Sequence, residues 1–396
     1  MGYLPLETVY TFEPTPNRLS SEQARHILGA EGNMWTEHAP PQLVDRQVFP
    51  RLCALAEVMW SPRERRNFTD FSRRLDIHYH RLDSLGVRYY VPPPRLLIDG
   101  RPAADTTFTE GLEVTMQNPF GRGEIHYTWD GSEPSPRSPK YVQPLKLSRT
   151  TRVRARVFLP SGNASVTSEL LACKTVASDA VCPASRPEPE WQARHDELNR
   201  RSRSTDAAVI FVGDSLTEGW EDAGREVWDR YLAPRRAMNL GVAGDGTQHV
   251  LWRLQNGNLD GFSANAKTGP RLAVVLVGTN NVSGDQYTAE EIAAGMIAVI
   301  KEIRSRLPRT RILLLGILPR DREPNAQRAR IAEANRLASP IADGRMVHFL
   351  DMGAAFLQPD GTISSDIMPD FLHLSARGYA VWAETMEAQL AALIED

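Results

Sequence analysis

Apolar positions along this chain change period twice. Up to about residue 92 they recur at helical spacing, over 43–60 and again over 70–85. Pro92-Pro93-Pro94 ends that pattern, because proline donates no N–H and restricts the residue before it. From 95 to about 171 apolar and polar residues alternate in short runs, at 112–116, 124–129 and 152–158. Turn clusters such as Asp130-Gly131-Ser132-Glu133-Pro134 and Pro160-Ser161-Gly162-Asn163 separate them. Short alternating strands at this spacing predict a small β-sandwich. Residues 173–189 are small, polar and proline-containing, and read as a linker.

Beyond 190 the strand candidates become almost continuously apolar: 207–212, 237–240, 272–277, 311–317 and 346–350. That is how parallel strands covered on both faces read. Helical patterns at 247–255, 289–307 and 325–342, and a last one from 376 onward, alternate with them. The prediction is an α/β domain with a flavodoxin-like, doubly wound parallel sheet. The chain therefore divides into 1–92, 93–172, a linker at 173–189, and 190–396.

Four short motifs fall where these strands give way to loops: Gly213-Asp214-Ser215-Leu216, Gly241-Val242-Ala243-Gly244-Asp245, Gly278-Thr279-Asn280-Asn281 and Asp370-Phe371-Leu372-His373. Ligands of open α/β sheets bind beyond the carboxyl ends of the strands, so all four point to one rim. Serine is a weak nucleophile until a base takes its proton, and histidine is the natural base near neutral pH. Asp370, three residues before His373, is close enough to hold the imidazole Nδ1–H. The backbone N–H groups of Ser215 and Gly244 and the Asn280 amide are candidate oxyanion donors. Taken singly, Ser215 could be a helix cap, Gly244 and Asn280 turn residues, and His373 a capping or surface side chain. Their joint placement at one rim favours a serine hydrolase site.

Charge narrows the picture little. A formal net charge of −3 leaves no basic footprint for nucleic acid, and no apolar run approaches the ~18 residues of a membrane span. Met1-Gly2-Tyr3-Leu4-Pro5 has no basic region followed by an apolar core, so no secretory signal is visible. The three cysteines lack metal-ligand spacing; Cys173 and Cys182 flank the linker and could bridge in an oxidising compartment. No metal or cofactor is expected, and the expected partner is a small-molecule or glycan ester.

Thr217 stands where the nucleophile elbow of α/β-hydrolases needs glycine. The motifs instead resemble the SGNH (GDSL) hydrolase superfamily, from about residue 207 to the C-terminus. By that resemblance Ser215, Gly244, Asn280 and His373 are the hallmark residues and Asp370 is the triad acid. The stretches Asn239-Leu240-Gly241, Thr247-Gln248-His249-Val250-Leu251-Trp252-Arg253-Leu254 and Asp370-Phe371-Leu372-His373-Leu374 look like the branch containing the catalytic subunits of platelet-activating-factor acetylhydrolase Ib. That branch usually carries Gly-Gly where this chain has Ala243-Gly244.

Residues 26–60, with Ile27-Leu28-Gly29-Ala30-Glu31-Gly32-Asn33-Met34-Trp35-Thr36-Glu37, look like the end of a family-twenty β-N-acetylhexosaminidase (β/α)-barrel. The resemblance implies sugar contacts for Trp35 and Glu37; the residues alone read as a core tryptophan and a solvated carboxylate. Residues 95–171 are similar to the β-sandwich of chitobiase-type hexosaminidases. Their company suggests an esterase for O-acetylated carbohydrate and, since such relatives are mostly exported, a periplasmic or secreted location. The competing readings are a phospholipid-type acetylhydrolase, a noncatalytic glycan-binding module, and a piece of a bifunctional hexosaminidase-esterase that starts before Met1.

One prediction follows from the front half. A (β/α)₈ barrel takes ~250 residues, and only about 90 precede the sandwich. The Asp-Glu pair that family-twenty enzymes use lies on an earlier strand, and Glu37 belongs by its context to the sugar-binding wall. The helix around 52–60 should then leave apolar surface exposed. The chain is expected to release nothing above a buffer control from p-nitrophenyl N-acetyl-β-glucosaminide. Release that persists in Ser215→Ala but vanishes in Glu37→Gln would show a catalytic front half.

Overall fold

The alternating runs of the front half fold into two four-stranded sheets. One has the order β2-β1-β4-β6, from β1 (Arg95–Ile98), β2 (Arg101–Pro102), β4 (Leu112–Gln117) and β6 (Leu145–Leu147). The other has the order β3-β8-β7-β5, from β3 (Thr106–Phe108), β5 (Glu124–Thr128), β7 (Thr151–Phe158) and β8 (Ser168–Lys174). The structure is a computed structural model that describes residues 4–34, 40–103, 105–263, 269–284 and 286–395.

Val114 and Leu145 of the first sheet and Ile125, Val153 and Leu170 of the second share one apolar core. Tyr10, Ala54, Val58 and Phe71 of the preceding helices join it, so the front helices are packed onto the sandwich. The helical stretch expected over 43–60 is two helices, Val44–Val48 and Arg51–Trp60. Pro50 sits at the break, because it cannot donate the hydrogen bond that continuity requires. The second long helix is Phe68–Ser84, with Phe71, Leu75, Tyr79 and Leu82 buried at helical spacing. On the helix Arg51–Trp60, Leu52 and Trp60 stand exposed, apolar surface of the kind expected there if that helix belonged to a larger barrel.

Beyond residue 190 the apolar runs form one parallel sheet of five strands: β9 (Val209–Gly213), β10 (Ala237–Gly241), β11 (Leu272–Leu276), β12 (Arg311–Leu315) and β13 (Val347–Leu350). Their order is β10-β9-β11-β12-β13, the flavodoxin-like arrangement. Side chains alternate between faces, so β9 feeds two cores. Ile210 and Val212 pack with Val250, Ile292 and Ile331 from the helices Thr247–Arg253, Ala289–Arg306 and Ala326–Ala338. Val209 and Phe211 pack with Trp220, Tyr379 and Trp382, the last two on the C-terminal helix Ala376–Glu395. Helices on both faces are why the strands carry almost no polar residues.

The helix Pro189–Ser204 was not visible in the apolar pattern. Its buried stripe is Trp191, His195, Leu198 and Ser202, and two of those four are polar. The stretch expected as a linker is packed on the α/β unit: Ala180 is fully buried, its carbonyl accepts from Thr247 Oγ1 at 2.7 Å, and the Ala184 N–H donates to the Gln248 carbonyl. On the sandwich side, the nearly buried Arg152 of β7 pairs with Glu169 and donates to the carbonyls of Pro340 and Ile341, each at 2.8 Å. Cys173 and Cys182 are free thiols, the first buried and the second exposed.

Candidate active site

Register places the motifs before any side chain does. In the sheet Gly213 stands opposite both Gly241 and Leu276, so β9, β10 and β11 end level with one another. Ser215, Gly244 and Asn280 follow within a few residues and leave the same edge. A Cβ on Gly241 would lie 2.2 Å from the Glu218 nitrogen, so only glycine lets β10 pass so close to the turn after the serine.

Ser215 opens a short helix, Ser215–Glu218, whose N-cap is Asp214: Oδ1 of Asp214 accepts from the Leu216 N–H at 3.0 Å. Ser215 is therefore not the cap itself. Its Oγ lies 3.1 Å from Nε2 of His373, whose Nδ1 lies 2.7 Å from Oδ2 of Asp370. A carboxylate only accepts, so Nδ1 carries the proton and Nε2 is left to receive one from the serine hydroxyl. The Asp370–His373 loop is a turn that ends before the helix at Ala376. Oδ1 of Asp370 accepts from the backbone N–H groups of Leu372 and His373 at 3.0 and 2.7 Å. Phe371 adopts a left-handed φ of 61°, and its carbonyl is held by the Asp321 N–H. Burial raises the Asp370 carboxyl, but the bonds from His373 and Leu372 outweigh it and hold the group below its usual value. The His373 and Asp370 side chains are half-exposed.

The donor side is cross-tied from below by buried polar groups. Gly244 has φ 78°, a backbone region that other residues rarely enter. The Asn280 amide donates to the Asp245 carbonyl at 2.9 Å, beside Gly244, and that bond uses one of its two N–H groups. Asn281 accepts from the Thr247 N–H at 2.8 Å and donates to Gln248 at 2.9 Å. Asn239 joins the Thr217 carbonyl to the Gly241 N–H. Below these loops, Nε of the fully buried Arg253 meets Oδ2 of Asp245 at 2.7 Å. The same guanidinium donates to the carbonyls of Leu240 and Gly213, and Trp191 Nε1 donates to Oδ1 of Asp245 at 2.7 Å. His249 Nδ1 accepts from the Gly246 N–H at 3.0 Å, and burial keeps that ring below its ordinary pKa.

Ser215, His373 and Asp370 are thus brought into one hydrogen-bonded chain, with Asn280 held against the Gly244–Asp245 turn. Trp35 and Glu37 lie outside the described residues. Sequence reasoning missed Asp245, Arg253 and Trp191 as parts of the site. The available signal was Arg253 itself, a charge inside the apolar helical run Val250-Leu251-Trp252. Among the described residues no cluster of His, Cys, Asp and Glu could hold a metal, and no helix is long and apolar enough to cross a membrane.

Known proteins resemble the second half of the chain over most of their own length. The model of the GDSL-like lipase/acylhydrolase family matches residues 211–381. The human platelet-activating factor acetylhydrolase IB subunit alpha1 is 37% identical over 221 residues, covering 54% of this chain and 91% of that protein. The chain belongs to the GDSL acylhydrolase family. It is an ester-hydrolysing enzyme. The rat alpha2 subunit is 36% identical over 207 residues, 52% of this hydrolase and 86% of that protein. A solved GDSL-like lipase from Bacteroides thetaiotaomicron aligns with a TM-score of 0.42 at 16% identity, over 51% of this chain and 97% of that one. Ahead of the hydrolase, the glycosyl hydrolase family 20 catalytic domain matches residues 1–63, and the chitobiase/beta-hexosaminidase C-terminal domain matches 102–169.

Asp214 yields a prediction about pH. Complete burial pushes its carboxyl from 3.8 up to about 7, with the nearby Asp245 adding to the rise, and its Oδ2 has no hydrogen-bond partner among the described residues. Between those two values the unfolded chain releases this proton and the folded hydrolase keeps it. Stability should therefore fall as the pH rises from about 4 to about 7. The depressed Asp370 acts with the opposite sign and lower down, losing its contribution as the pH falls below 3.8. Asp214→Asn keeps the Oδ1 cap and cannot ionise. Urea unfolding at several pH values should show the decline between 4 and 7 reduced in this variant. An identical decline in parent and variant would disprove the assignment.

Proposed function

We propose that the hydrolase cleaves short-chain acyl esters through an acyl-enzyme on Ser215. The observation that carries this reading is the continuous chain from Ser215 Oγ to His373 Nε2 at 3.1 Å and from Nδ1 to Asp370 at 2.7 Å. In the proposed course Ser215 Oγ attacks the ester carbonyl while His373 Nε2 takes its proton. Asp370 holds the ring in the tautomer that can accept, and stabilises the imidazolium. The N–H groups of Ser215 and Gly244 and the free N–H of Asn280 face the charge that develops on the carbonyl oxygen. His373 then returns the proton to the leaving alkoxide, and a water activated by the same ring releases the acyl group.

For the substrate we favour acetyl or other short acyl groups on carbohydrate. Support comes from the hexosaminidase-type segments that precede the hydrolase, at 1–63 and 102–169. The similarity to acetylhydrolases named for platelet-activating factor supports a second reading, an acetylated phospholipid. Relative kcat/KM on acetylated oligosaccharides, acetylated phospholipids and p-nitrophenyl acetate separates the two. Preference for the phospholipid would reject the carbohydrate reading.

Two variants test the chemistry. Ser215→Ala should lower turnover of p-nitrophenyl acetate by roughly 10³-fold or more, leaving what binding and the oxyanion donors supply. Near-parent activity in the purified variant would end the acyl-enzyme proposal. Asn280→Ala should lower kcat by ~10²–10³-fold with KM little changed, since its role lies in the transition state. A raised KM with intact kcat would make Asn280 a substrate-binding residue instead.

A further inference from the structure

The Gly244 turn is the most exposed part of the donor side. Ala243 and Gly244 both face solvent, and the Gly244 N–H has no acceptor among the described residues. A glycine peptide is easily rotated, because no Cβ resists the change in φ and ψ. From beneath, the turn is held by the Val242 N–H on the Gly213 carbonyl at 3.2 Å and by the buried Asp245 side chain. Glu218 accepts from the Ala243 N–H. None of these contacts touches the peptide group that joins Ala243 to Gly244, the group whose N–H would meet the oxyanion.

One side chain does touch it. Nη1 of Arg186 donates to the Ala243 carbonyl oxygen at 2.8 Å and lies 3.8 Å from Oδ1 of Asp245. A peptide is planar, so fixing that oxygen fixes the Gly244 N–H on the opposite side of the same plane. A cation on the oxygen also polarises the amide and makes its N–H a stronger donor. The guanidinium lies against Gly244 itself: a Cβ there would stand 2.7 Å from Nη1. Arg186 is anchored in turn. Nη2 donates to Glu188 at 3.1 Å, Gln192 Nε2 donates to the Arg186 carbonyl at 2.6 Å, and the Ala184 N–H is bound to Gln248. The side chain comes from the stretch between the sandwich and the hydrolase, well ahead of the family match at 211–381.

We infer that Arg186 is a positioning residue that holds and polarises the Ala243–Gly244 peptide for oxyanion stabilisation, an inference that rests on the acyl-enzyme reading above. Total loss of one oxyanion donor costs ~10²–10³-fold, so a donor left in place but free to rotate should cost about tenfold. In the full chain, Arg186→Ala should lower kcat on p-nitrophenyl acetate by about tenfold, with KM within about twofold of the parent. Free guanidinium at millimolar concentration should restore part of the loss in this variant and not raise the parent. Arg186→Lys, which keeps a charge but not the planar fork, should fall between the two; it also serves if Arg186→Ala fails to fold. Parent-like kcat in folded Arg186→Ala overturns the inference, as does a loss confined to KM, which would place Arg186 on the substrate. A lowered kcat without guanidinium rescue, accompanied by a large fall in Tm, would mark a merely structural role and overturn it too. If Ser215→Ala is inactive while Arg186→Ala is not impaired, only this inference fails; if Ser215→Ala is active, the acyl-enzyme reading itself has failed.

Discussion

The buried pair of Arg253 and Asp245 is the constraint on which the site depends. Both side chains are wholly excluded from solvent, and their atoms meet at 2.7 Å. Removing two charges from water costs more than a lone contact returns, so such a pair persists where surrounding polar groups bond both partners. Arg253 meets that condition with the carbonyls of Gly213 and Leu240 and the side chain of Asn258. Asp245 meets it with Trp191. The effect is to bolt together the ends of β9 and β10, the Gly244 turn and the helix Pro189–Ser204. Breaking such a pair by deleting one partner typically costs ~3–5 kcal/mol, because the other charge stays buried.

That platform explains the unequal character of the two halves of the site. In the proposed mechanism the donor side must be rigid, since a hydrogen bond to a developing oxyanion is worth most when the dipole is already aimed. It is built from strand ends, capped turns and amides whose other groups are bonded elsewhere. The His373–Asp370 arm lies on an open turn at the surface, where its geometry comes from three hydrogen bonds to one carboxylate. In the proposed mechanism an exposed arm leaves room for an alcohol to depart and for water to enter. It also leaves the rim, rather than the sheet, to decide which ester is accepted.

The front half is joined to the hydrolase by polar contacts as well as by packing. Arg152 reaches from β7 to the carbonyls of Pro340 and Ile341, and Ala180 is buried against the helices under the sheet. The connection between sandwich and hydrolase therefore runs along the hydrolase surface and passes the Gly244 turn at Arg186. Its small polar composition looked like that of a solvated tether, because composition does not record which carbonyls a backbone meets.

Much of the fold was legible because buried parallel strands must be apolar on both sides, and five such runs at 207–212, 237–240, 272–277, 311–317 and 346–350 leave few alternatives. Ser215, Gly244, Asn280 and His373 stood out as candidates for a related reason: each sits just past an apolar run or in a motif of chemically distinctive residues. The helix Pro189–Ser204 was not, since His195 and Ser202 fill half of its buried stripe. The break at Pro50 was written in the chain but lost inside an apolar window. Asp214, Asp245 and Arg253 show the larger limit. By residue type they are ordinary surface charges, and only burial makes one of them a carboxyl pushed up to about 7 and the other two the tie beneath the site. The sequence determined which groups could do chemistry, because that depends on residue type and local spacing. Tertiary structure alone decided which polar groups hold them in place, because a hydrogen bond between Arg253 and the Gly213 carbonyl, or between Arg186 and the Ala243 carbonyl, joins positions whose separation along the chain carries no pattern.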